Sequence, residues 1–135
     1  MEDTTGRRSG KGRGWQIPPL VWRPDDVMMC LEVTPEVDEY ETHSYTVCRD
    51  DLRLELTIFQ YFGDVCISLC RDGVQRPVFN MGLIDCTGVR YVNDDRGEYL
   101  EFAPARCFGS RYDRESPIPY GIRLAVKPSI AISLF

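Results

Sequence analysis

Apolar and polar residues alternate with a period of two along much of the chain. Leu52, Leu54, Leu56 and Ile58 are separated by Arg53, Glu55, Thr57 and Phe59, the pattern of a strand with one face against a core. Gly63 and Asp64 break the run, and a second strand follows over residues 65–70, with Val65, Ile67 and Leu69 on one face. Asp72-Gly73 is a hairpin turn signal. A third strand is expected over 74–81, held to an edge or bulge by Pro77, which has no N–H to donate. Val89 and Tyr91 alternate with Arg90 and Val92 in a fourth strand, and residues 98–102 return after the polar loop 93–97. Residues 109–121, with Pro117 and Pro119, read as loop. Ile122, Leu124 and Val126 then alternate with Arg123, Ala125 and Lys127, and Ile130, Ile132 and Leu134 resume the pattern after Pro128. Residues 26–32, after Pro24, fit either a short helix or a strand. Short turns between strands imply antiparallel pairing. The expected fold is mostly β: a single-domain antiparallel β-sandwich or partly closed barrel with at most one short helix.

Size and composition agree with this reading. The 135 residues suffice for one domain, and 43% hydrophobic with 27% charged residues excludes disorder throughout or a fibrous chain. Residues 1–14 hold four glycines, no aliphatic side chain after Met1 and a local charge of +2. They are expected to form a flexible basic arm, leaving 15–135 as a single antiparallel β domain. No apolar run approaches the roughly 20 residues of a membrane-spanning helix. Prolines and Arg23 interrupt the stretch after the arm, which denies it the apolar region of an export signal. A cytoplasmic protein without a membrane partner is expected.

Charge changes the picture more than composition does. The net charge of -5 disfavours direct nucleic-acid binding. Residues 25–55 carry ten acids against Arg49 and Arg53, a local charge of -8, whereas residues 56–135 are neutral. A solvated face accounts for such a run, but it also suits a surface for a basic partner, because complementary charge speeds encounter and rejects wrong partners. The candidate partner-binding residues are Glu32, Glu36, Asp38, Glu39, Glu41, Asp50 and Asp51, with Tyr40 and Tyr45 as anchoring aromatics.

Other candidate chemistry is thin. The six cysteines lie mostly in strand-like apolar runs and are expected as reduced, mostly buried thiols. Cys66 and Cys70 would sit roughly 13 Å apart on one strand face, too far for one zinc ion. His43 and Cys48 would point to opposite faces of an extended segment, which opposes a nucleophile–base pair. Gly6 to Lys11 lacks the spacing, the following Ser or Thr and the preceding strand of a phosphate-binding loop. Asp94, Asp95, Glu98 and Glu101 lack the spacing of a calcium loop and read as a hairpin. No catalytic residue, cofactor or metal is expected.

Residues 51–60 (DLRLELTIFQ), 64–73 (DVCISLCRDG), 85–94 (DCTGVRYVND) and 97–102 (GEYLEF) resemble small bacterial immunity proteins of contact-dependent growth inhibition and related polymorphic-toxin systems. The resemblance spans about residues 45–102 and rests on a β-rich pattern; no family contact residue maps onto a named position. It implies a non-enzymatic cytoplasmic protein that binds and neutralises a cognate toxin C-terminal domain, commonly a nuclease. The alternative is a β-sandwich or barrel binding a small ligand or peptide, whose mark would be a large enclosed apolar pocket.

Overall fold

The computed structural model describes residues 20–111 and 117–135, with side chains placed for 20–105 and 119–135. The basic arm and its glycine-rich motif lie outside the described residues. The elements run α1 (Pro24–Leu31), β1 (Glu36–Val37), β2 (His43–Arg49), β3 (Leu52–Phe59), β4 (Asp64–Arg71), β5 (Phe79–Ile84), β6 (Val89–Asp94), β7 (Gly97–Arg111), β8 (Pro117–Ala125) and β9 (Ala131–Leu134).

Every strand pair is antiparallel, in the order β1-β2-β3-β4-β5-β7-β8-β9, with β6 beside the first part of β7. The long β7 joins two antiparallel halves: residues 97–102 pair with β6, whereas Arg106 and Cys107 pair with β5. Its register with β8 shifts between Phe102 and Ala105. Pro104 falls within that shift, where a residue without an N–H does least harm to a ladder.

Both halves turn one face to the same core. Rows of opposed residues set that face: Ile58–Val65–Leu83 and Leu56–Ile67 in one half, Phe102–Ile122 and Leu100–Leu124 in the other. All of these residues are fully buried and belong to one cluster. Among the described residues the arrangement is a mostly β, antiparallel fold with one short helix and no closed barrel, the mostly β antiparallel architecture that the alternation implies.

Helix α1 has Pro24 in its first turn, where the missing N–H costs nothing, and Asp25 and Asp26 beside the positive helix end. Val27, Cys30 and Leu31 form its buried face. It stops at Glu32, which takes the left-handed φ of 60° and returns its N–H to the Met28 carbonyl at 2.7 Å. Among the described residues no helix is long and apolar enough to cross a membrane.

Three expectations are corrected. The third strand begins at Phe79 and runs to Ile84; Pro77 ends pairing before it, and Val78 is the residue that donates back, to the Leu69 carbonyl at 2.8 Å. Gly109 to Arg111 belong to β7 and Pro117 to Gly121 to β8, so the expected loop 109–121 is strand at both ends. Of the thiols, Cys30 and Cys86 are buried, Cys66 and Cys70 are half-buried and Cys48 is exposed. These five are free, as expected, but three sit on the outward rows opposite the core; the Cys107 side chain lies outside the described set.

Candidate functional site

Strand direction divides the acidic segment between two ends of the β1–β5 half. The β1–β2 turn meets the β3–β4 turn at one end, because His43 pairs with Ile58 and Ile58 with Val65. The β2–β3 turn, carrying Asp50 and Asp51, lies at the other end, roughly 20 Å away along seven strand residues.

At the first end, Asp38 builds its own turn. Its Oδ1 accepts hydrogen bonds from the Tyr40 and Thr42 N–H groups, both at 2.9 Å, the local bonding that makes Asp a turn residue. Glu41 closes the turn with φ 59° and donates its N–H to the Asp38 carbonyl at 3.0 Å. The Gln60 side chain donates to the Glu41 carbonyl at 3.0 Å, which ties the two turns together. The Glu41 carboxylate beside Tyr61 raises the phenol pKa above its ordinary value.

The β3–β4 turn is fixed from behind. Phe62 and Gly63 donate to the Phe59 carbonyl at 3.1 and 3.0 Å, and Cys86 donates to the Gly63 carbonyl at 2.8 Å. Gly63 has φ 73°, and a Cβ there would sit 3.1 Å from the Cys86 carbonyl oxygen, so the turn requires glycine. Trp22 reaches the Gln60 side chain with its indole N–H at 3.3 Å and stands edge-on to the His43 ring at 4.9 Å. On this braced platform Tyr40, Tyr61 and Phe62 are 73%, 55% and 63% exposed.

The carboxylates differ in their partners. Among the described residues none of Glu36, Asp38, Glu39 and Glu41 is in an ion pair. Glu32 instead lies 3.4 Å from Arg49 and 3.1 Å from Lys127, and Lys127 also holds Glu98 at 2.6 Å. Tyr91 donates its hydroxyl to Glu98, and the bonds from Lys127 and Tyr91 keep the Glu98 carboxyl below its ordinary range. Asp51 pairs with Arg71 at 3.0 Å, and Asp50 occupies the turn with φ 56°.

Tyr45 requires a correction. It is 1% exposed within the core, not an anchoring aromatic on the surface. It shares an inward row with Leu56, and burial pushes its phenol up to about 12. Among the described residues its hydroxyl has no hydrogen-bond partner. The structure therefore gathers Glu36, Asp38, Glu39, Tyr40 and Glu41, places Glu32, Asp50 and Asp51 at the far end and removes Tyr45. It adds Tyr61 and Phe62, whose signal in the sequence is a pair of aromatics directly before the turn glycine.

Other titratable groups are engaged internally. His43 and Cys48 do point to opposite faces of β2, and His43 Nδ1 lies 3.0 Å from the Glu41 carbonyl. Burial raises the thiol pKa values of Cys66 and Cys86, and that of Cys30 to about 11, which leaves them protonated at neutral pH. Glu101 is clamped between Arg90 at 2.7 Å and Arg123 at 3.0 Å. Asp94 caps the Arg96 N–H at 2.8 Å. No group of three or more metal-ligating side chains occurs among the described residues. A groove of about 240 Å³ beside Val21 and Ala103, and a depression of about 480 Å³ beside Met28 and Val33, are both open to solvent.

No family model matches the sequence, and no curated protein is significantly similar to it. The fold is similar to that of a chain in a contact-dependent growth inhibition toxin–immunity protein complex from Klebsiella pneumoniae 342. The TM-score is 0.68 at 12% identity, covering 86% of this chain and 96% of that one.

Proposed function

We propose that this chain is an immunity protein: a non-catalytic cytoplasmic inhibitor that binds one toxin C-terminal domain, a basic nuclease, and blocks it. The observation that carries the reading is the fold shared along 86% of the chain with a component of a toxin–immunity complex. Such a complex holds two kinds of protein, and the inhibitor's role suits this one. Its buried thiols are protonated, and Asp94, Glu98 and Glu101 are engaged in internal ion pairs. A nuclease grips phosphates with lysines and arginines, and the unpaired carboxylates at 36–41 are the complement of such a surface. Neither groove described above is an enclosed apolar cavity, which favours a protein partner over a small ligand.

Co-expression with a candidate toxin C-terminal domain, identified by pull-down from the source cells or from the neighbouring gene, tests the reading. Growth should be restored, and the purified proteins should form a one-to-one complex. Persistent growth arrest in cells that contain the folded protein, with no complex at micromolar concentrations, overturns it.

A further inference from the structure

Residues 36–42 and 59–64 contain five carboxylates and neither lysine nor arginine. Their two turns touch through the Gln60–Glu41 bond, and together they expose Tyr40, Tyr61 and Phe62. Exposed aromatics are scattered on many surfaces without consequence. Here three are carried on two adjoining turns whose backbone is held by internal hydrogen bonds, so a partner would lose little entropy in ordering the backbone that bears them. Large aromatics on a rigid support carry much of the energy of protein interfaces.

We infer that the paired turns are the energetic centre of the contact, with Tyr40, Tyr61 and Phe62 as anchors and Glu36, Glu39 and Glu41 as the rim. The occupant is a protein surface rich in arginine and lysine. Its cationic groups lie over the ring faces, where the quadrupole attracts them, and the surrounding carboxylates compensate their charge. The acidic rim disfavours a second copy of this chain, because like charges would meet across the symmetry axis. The inference rests on the immunity reading for the partner's identity and adds to it the residues that hold the partner.

The test uses the full chain and the toxin domain identified by that pull-down or neighbouring gene, with Kd and rates measured at two salt concentrations. Y61A/F62A should raise Kd roughly 30-fold or more, mainly through faster dissociation. E36Q/E39Q should slow association several-fold and flatten its salt dependence. Circular dichroism and thermal unfolding verify that both variants fold; if Y61A/F62A does not, Y61S and F62S are measured singly. A wild-type complex whose Kd is unchanged in both variants overturns the inference and leaves the immunity reading standing. Failure of the wild-type protein to bind the toxin domain overturns both. A self-associated dimer that Y61A/F62A dissolves overturns the choice of occupant.

Discussion

The two ends of the β1–β5 half begin from the same acidic segment and use it in opposite ways. At the end formed by residues 49–52, Glu32 and Asp51 meet Arg49, Lys127 and Arg71. From Glu32 at the helix terminus a chain of interactions runs through Lys127 to Glu98 and Tyr91, and Asp51–Arg71 is a separate pair. At the other end the carboxylates of residues 36–41 meet no cation among the described residues, and aromatic rings stand exposed beside them. Acidity alone does not mark an interface. On the proposed reading the informative feature is acidity left unpaired on a rigid support, because surface ion pairs neutralise one another and add little to stability.

Tyr40 and Tyr45 sharpen the contrast from five residues apart. Tyr45→Ala should cause the largest loss, about 3–5 kcal/mol, because it empties a fully buried ring position; denaturant unfolding measures it, and Tyr40→Ala should leave the midpoint unchanged. An intermediate effect is expected from Lys127→Met, which strips Glu32 and Glu98 of their shared cation. The depressed pKa of Glu98 means that the folded state binds its proton less readily than the unfolded chain does. Its contribution is complete above its ordinary carboxylate range and is lost as pH falls through the lower folded value. The gap between wild-type and Lys127→Met thermal midpoints should therefore be widest at about pH 6–7 and narrow below about pH 4. The smallest effect belongs to Tyr45→Phe. Removing a buried hydroxyl that has no partner among the described residues should be neutral or stabilise by up to about 1 kcal/mol, and toxin binding should not change.

The hairpins at 52–71 were legible because each strand repeats its apolar residues at every second position and ends in a turn glycine. The two-residue β1 exists only through its pairing with Ser44 and His43, which no local pattern announces. In β2 only Tyr45 and Val47 face fully inward, too short an alternation to assign Tyr45 to the core from sequence. The length of β7 was hidden by Pro104, which reads as a strand breaker but is absorbed in a register shift. The candidate site was legible as an acidic run and no further. Lys127 lies 95 positions from Glu32, and Arg71 lies 20 positions from Asp51, so counting charges along a window cannot separate paired from unpaired acids. Tyr61 and Phe62 join the site only because Gln60 crosses to the Glu41 carbonyl.

Hydrogen exchange of the complex with the toxin domain tests the central claim most directly. The amides of Tyr40, Glu41, Thr42, Phe62 and Gly63 all donate within the two turns, so their exchange reports whether those turns are covered. Binding should slow exchange across residues 36–42 and 59–63 and leave residues 49–53 and 71–76 at their free rates. Slowed exchange at the ion-paired end, with the aromatic turns unchanged, would contradict the assignment of unpaired acidity as the mark of the interface.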